Sequence, residues 1–168
     1  FERRTFSKKE GIKIFILPPS KTIGIVPIKI DLNNFSFKRY SRASMFNPSD
    51  REPFQIMTAP FVVKQKKNWM VWYVSCEKWK NSDYPKYNIK YGNSKNGLEW
   101  TQTGKISINL KKNERAVARP SVIFKDKKFH MWYSKENKVG TYNLGYAISN
   151  NGINWKRKDN KVNLFKSK

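Results

Sequence analysis

Apolar residues along this chain come in short runs, and polar clusters rich in Lys, Asn, Asp and Gly separate them. Ala59-Pro60-Phe61-Val62-Val63, Trp69-Met70-Val71-Trp72-Tyr73-Val74 and Phe129-His130-Met131-Trp132-Tyr133 are strand-length and dominated by β-branched and aromatic side chains. Lys125-Asp126-Lys127-Lys128, Lys95-Asn96-Gly97 and Asn150-Asn151-Gly152 supply turn chemistry between runs. No segment holds a 3.6-residue apolar period over three turns, so the pattern predicts strands and little helix.

The runs repeat. The segment from Ala59 through Trp72-Tyr73 aligns without a gap on Arg119-Pro120-Ser121-Val122-Ile123 through Trp132-Tyr133 at an offset of 60. A second block, Tyr87-Asn88-Ile89-Lys90-Tyr91 to Gly97-Leu98-Glu99-Trp100, aligns on Tyr142-Asn143-Leu144-Gly145-Tyr146 to Gly152-Ile153-Asn154-Trp155 at an offset of 55. The difference falls in the connector 76–86, where an insertion costs least. Each repeat reads as four strands, with Asn96-Gly97 and Asn151-Gly152 expected to provide the positive φ angles of tight hairpins. Strands are also expected at 12–17, 22–30 and 35–40, followed by a polar loop over 41–53. A repeated four-stranded unit of this size is that of a propeller blade. The division is 1–55, a partial blade and loop; 56–112, a blade; and 113–168, a blade and tail.

The motifs Ala59-Pro60-Phe61-Val62-Val63 with Met70-Val71-Trp72-Tyr73, Ala118-Arg119-Pro120-Ser121-Val122 with Met131-Trp132-Tyr133-Ser134, and Gly145-Tyr146-Ala147-Ile148-Ser149 resemble the five-bladed β-propellers of the glycoside hydrolase family 43 and 32 type. More narrowly, the chain is similar to propeller proteins found with polysaccharide-biosynthesis genes. The resemblance covers roughly residues 12 to 160. It implies an all-β fold of four-stranded antiparallel blades, about two and a half of them in this chain, and a protein that acts on or binds a polysaccharide or its precursor. Fewer than five blades implies a fragment, or self-association that completes or caps a partial propeller. A non-catalytic carbohydrate-binding propeller and a basic polyanion-binding scaffold stand as alternatives.

Charge narrows the partners without naming one. Lys+Arg 35 against Asp+Glu 12 gives +23, but the 27 Lys and 8 Arg are dispersed, with no basic run longer than three. Nucleic-acid readers favour Arg for its bidentate fork, so a solvated lysine surface is preferred over a nucleic-acid interface. An anionic glycan or a membrane lipid is the other partner the charge suits. One Cys, Cys76, and one His, His130, preclude an internal disulfide and a Cys/His zinc site, and neither a metal nor a cofactor is expected. No run is long enough to span a membrane. The absence of a signal-peptide pattern and the single Cys favour the cytoplasm.

Glycoside hydrolysis uses paired carboxylates. In the resembled hydrolases the residue before the inner-strand Pro often carries one; here Ala59 and Arg119 stand there, and neither is an acid or base. The candidate acids become Glu77 at a strand end, Glu114 on the approach to Arg119, and Glu52 before Pro53. Asp31 reads as a turn-former, and Glu99 and Asp126 as solvated turn residues. Arg119 is the leading substrate-binding candidate. Pro120 is expected to hold it extended and aim it into the channel, toward a sugar carboxylate or phosphate, with an ion pair to Glu114 as the competing reading. Tyr73, Ser75, Trp79 and Tyr133 complete the candidate binding set.

Overall fold

In the computed structural model, the described residues are 11–17, 24–31, 33–39, 46, 49–52, 54, 57–78 and 85–162; for 11–17, 24–27, 29, 57, 77 and 78 the backbone alone is described. Eleven strands and a single 3-10 turn account for their regular structure. Strands β1 (Gly11–Leu17), β2 (Gly24–Ile30) and β3 (Phe37–Arg39) form a three-stranded antiparallel sheet. The turn before β3 is closed by Asp31, whose Oδ1 accepts the Asn33 N–H at 2.9 Å.

The two repeats follow. Strands β4 (Met57–Gln65), β5 (Asn68–Lys78), β6 (Lys86–Ser94) and β7 (Thr101–Ile108) form the first antiparallel meander. Strands β8 (Glu114–Lys125), β9 (Lys128–Asn137), β10 (Tyr142–Ser149) and β11 (Lys156–Arg157) form the second. Cross-strand registers match at the expected offset: Phe61 pairs with Trp72, and Ser121 with Trp132. The meanders are not wholly separate sheets, since a parallel bridge between Tyr87 and Ala116 joins β6 to β8. No helix among the described residues is long and apolar enough to cross a membrane.

The core lies where one meander stacks on the other. Side chains alternate along a strand, so Met70, Trp72, Ile89 and Tyr91 share one face of the first meander. They meet Val122, Phe129, Met131, Tyr133 and Ala147 from the facing side of the second, all buried. Trp72 is fully buried, and its indole N–H donates to the Gly152 carbonyl at 2.9 Å, so its one polar group is paired. Phe129 and Trp155 flank its ring at centroid distances of 6.0 and 5.8 Å.

The Asn-Gly turns depart from expectation. Only the glycines, Gly97 at φ 77° and Gly152 at φ 73°, are left-handed. The asparagines act through their side chains: Asn96 Oδ1 accepts the N–H groups of Leu98 and Glu99, both at 2.9 Å. Asn151 Oδ1 does the same for Ile153 and Asn154, at 3.0 and 2.9 Å. In each turn a Ser hydroxyl, Ser94 or Ser149, accepts the glycine N–H, and the following Trp indole donates to the glycine carbonyl. The turn is a wide, side-chain-tied loop that seats a tryptophan.

Gly145 lies opposite Tyr133 in the β9–β10 ladder, and a Cβ there would come within 2.2 Å of the phenol ring. The equivalent position in the first meander is Lys90, which lies opposite Tyr73. Gly145→Ala is therefore expected to destabilise the protein by about 1–3 kcal/mol through overpacking, measured as a lower urea midpoint at unchanged slope.

Candidate functional site

The two inner strands, β4 and β8, each carry a bulge at the same point. Pairing slips between Thr58 and Phe61 in one and between Ala118 and Ser121 in the other. Ala59 (φ 45°) and Arg119 (φ 53°) occupy the bulges in the left-handed region. This corrects the extended conformation expected before proline: the extra residue of the bulge turns its backbone out of the ladder. Holding a non-glycine residue there costs about 1–2 kcal/mol. Arg119 is exposed, and among the described residues it makes no hydrogen bond or ion pair.

Glu114, the acid proposed as its partner, is committed elsewhere. Arg157 grips it in a bidentate pair, Nη2 to Oε1 at 2.5 Å and Nη1 to Oε2 at 2.8 Å. Arg157 also donates to Asp159 Oδ2 from Nη2 at 2.9 Å and lies over the Tyr133 ring, Cζ 5.4 Å from its centroid. Asp159, in the 3-10 turn Asp159–Lys161, accepts from Tyr133 Oη at 2.6 Å, Lys111 Nζ at 2.8 Å and the Tyr146 N–H at 3.2 Å. Burial works to raise both carboxyls, but these hydrogen bonds and the Arg157 charge outweigh it. Glu114 lies below its ordinary value, and Asp159 far below. Burial and the bond to Asp159 push the Tyr133 phenol up, so it remains a donor.

Glu52 sits in a second network on the far face of the first meander, 2% exposed. It accepts from Tyr73 Oη at 2.7 Å and from Ser75 Oγ, and Lys90 Nζ lies 3.6 Å away. Lys90 also donates to the Arg51 carbonyl, and Phe46 packs on Tyr73 at 4.6 Å between centroids. Tyr73, Ser75 and Lys90 are themselves buried, so the ensemble fastens Phe46, Arg51 and Glu52 onto β5 and β6. Burial, then Glu52's charge and hydrogen bond, push the Tyr73 phenol well up.

The structure thus separates the candidates. Glu52 with Tyr73 and Ser75, and Glu114 with Tyr133, lie in two internal networks, while Arg119 stands exposed on β8. The Glu77 backbone ends β5 but its side chain is not among those described, and Trp79 lies outside the described residues. Lys90, Arg157 and Asp159 were not singled out from the sequence. Lys90 carried no signal of its own, since by alternation it shares its face of β6 with Asn88, Gly92 and Ser94. His130, half-buried, bonds Tyr146 Oη through Nδ1 at 2.7 Å. No three His, Cys, Asp or Glu side chains group as metal ligands among the described residues.

Two measurements check these networks. Carboxylates whose folded pKa is depressed stabilise the protein above their unfolded values and lose that contribution as pH falls. The melting temperature is therefore expected to drop as pH is lowered below about 4, and less steeply in Asp159→Asn. Glu52→Ala removes the acceptor of the buried Tyr73 and Ser75 hydroxyls and a carboxylate from beside buried Lys90, and is expected to cost about 3–5 kcal/mol by urea denaturation.

No family model matches the chain. Two proteins described as uncharacterized, from two strains of Mycobacterium tuberculosis, are each 24% identical over 143 residues, which is 84% of this chain and 46% of theirs. The chain therefore spans about half the length of the curated relatives it matches. Among solved structures it is similar to the sucrose-6-phosphate hydrolase from Lactobacillus gasseri, with a TM-score of 0.76 and 8% identity over 95% of this chain and 32% of that one. A thermostable family-43 glycoside hydrolase gives 0.74 and 17% over 92% and 52%. The Penicillium chrysogenum α-L-arabinanase complexed with arabinobiose gives 0.58 and 14% over 88% and 43%. At these identities the fold is what is shared: the chain is a partial β-propeller built like those of glycoside hydrolase families 32 and 43.

Proposed function

We propose that this protein is a carbohydrate-binding propeller selective for acidic glycans, with Arg119 as the residue that reads the negative charge. The observation that carries this reading is an exposed guanidinium, without a partner among the described residues, at a left-handed bulge of an inner strand. The left-handed bulge recurs at Ala59 and so belongs to the repeat; what is particular to the second inner strand is that its bulge presents an exposed guanidinium. Bidentate geometry suits Arg to the carboxylate of a uronic acid or the phosphate of a sugar phosphate. Similarity to enzymes that act on fructosides and arabinans supports a carbohydrate ligand.

Binding is favoured over hydrolysis because the inner-strand positions are Ala59 and Arg119, and Glu52 and Glu114 are bound up in internal hydrogen bonds. A carboxylate fixed by a bidentate arginine and held ionised is a poor general acid. The chain is expected to hydrolyse aryl glycosides no faster than buffer. Turnover abolished by Glu77→Gln would overturn the binding reading and name Glu77 as the acid.

Arg119→Gly separates binding from folding, since glycine occupies the left-handed region without strain. The variant is expected to melt no lower than the parent, yet to bind acidic oligosaccharides more weakly by about 1.5–3 kcal/mol, with neutral ones unchanged. Titration calorimetry on a matched acidic and neutral pair gives the answer. Equal affinities for both variants would remove Arg119 from the site.

A further inference from the structure

The hairpins that begin the two meanders, β4–β5 and β8–β9, point to the same end of the sheets. Trp69 pairs with Ser94 and Phe129 with Ser149, so each hairpin tip lies beside the glycine turn of its own meander. Across the meanders, the Trp72 indole bonds the Gly152 carbonyl and lies 6.0 Å from the Phe129 ring, which brings the two tips together.

Charge collects at this end. The tips are Lys64-Gln65-Lys66-Lys67 and Lys125-Asp126-Lys127-Lys128, six lysines against one acid. All six lysines are exposed, and none is in an ion pair among the described residues. The neighbouring turns do not offset them: 94–100 adds Lys95 and Glu99, which cancel, and 149–155 carries no charge. At the opposite end of the second meander the cations are paired instead, Arg115 with Glu136 and Arg157 with Glu114. Lys66 (φ 56°) and Lys127 (φ 59°) also occupy left-handed turn positions, which Asn or Gly fills at lower cost. Beside the second tip Phe124 is 41% exposed, stacked on Phe129 at 4.7 Å between centroids.

We propose that this hairpin end docks on an anionic lipid bilayer, with the lysines at the phosphate headgroups and Phe124 at their boundary with the acyl chains. A lysine near such a surface acts through its point charge and needs no fitted geometry, so two projecting tips suit a flat, charged partner. Nucleic acid suits them less. Neither tip holds an Arg, whose fork reads phosphate and base edges, whereas an exposed phenylalanine beside lysines is what a headgroup layer takes up. Arg119 lies six residues before Lys125 on β8, about 20 Å at the rise of a strand, so bilayer contact leaves it open. The inference stands independently of the glycan proposed for Arg119.

The test is co-sedimentation of the protein with phosphatidylcholine vesicles, with and without phosphatidylglycerol, at about 0.1 M salt. The expected result is binding only to the vesicles that contain phosphatidylglycerol. Lys67→Gln with Lys128→Gln, one lysine from each tip, is expected to weaken it by about 25-fold, or about 5-fold for each lysine. Both positions are exposed, and the melting temperature is expected to stay that of the parent. Lys112→Gln with Lys138→Gln removes the same charge from exposed positions at the opposite end and is expected to leave binding nearly unchanged. Equal losses in the two double variants would assign the binding to diffuse charge and overturn the inference. So would a parent protein that ignores the anionic vesicles, or one that binds duplex DNA but no vesicle.

Discussion

The stacking of one four-stranded meander on the next is the interaction on which the described structure depends. Strands in this chain are short and a lone meander has two faces, so neither repeat can bury its apolar positions by itself. Trp72 marks the solution. Its ring fills the space between sheets, and its N–H reaches a carbonyl in the Gly152 turn of the partner sheet. The turn can offer that carbonyl because Asn151 and Ser149 tie down its backbone N–H groups.

The same repeat unit is finished in two ways. In each meander a tyrosine on the second strand, Tyr73 or Tyr133, is buried and donates to a carboxylate brought in from outside the strand. In the first, Glu52 arrives from the preceding loop with Lys90 as counter-ion. In the second, Asp159 arrives from the following turn with Arg157 and Lys111, and Gly145 makes room where Lys90 would stand. A buried phenol needs an acceptor, and the carboxylate chosen then dictates which cation must accompany it. Acidic residues are few in this chain, and four of them, Glu52, Glu114, Glu136 and Asp159, are engaged in ion pairs.

That use of acids bears on function. An arginine in a protein with so many cations finds an anion only by local construction, as Arg157 does with Glu114 and Arg115 with Glu136. Arg119, on the same strand as Glu114 and Arg115, is turned outward by its bulge instead. A strand that ties its neighbouring charges into ion pairs while holding one guanidinium exposed separates paired from solvent-facing charge within six residues, 114–119.

The sequence by itself determined the strand pattern, the repeat and its offsets, because period-two alternation and turn residues are local properties that survive in any tertiary setting. The propeller type came from the resemblance of these motifs to known propellers, while the recurrence of Trp72 and Trp132 in the same relation to Pro60 and Pro120 established the repeat. What the sequence left open was decided by tertiary contacts. The partners of Glu52 and Glu114 lie 21 and 43 residues away, distances over which spacing carries no information. The left-handed backbone at Ala59 and Arg119 arises from a bulge in the pairing of two strands, and no preference of Ala or Arg foretells it. Lys90, read from composition as one more solvated lysine, is buried because a carboxylate from another segment meets it there. Folding, by bringing Glu52 beside it, contributes to offsetting the cost of burying that charge.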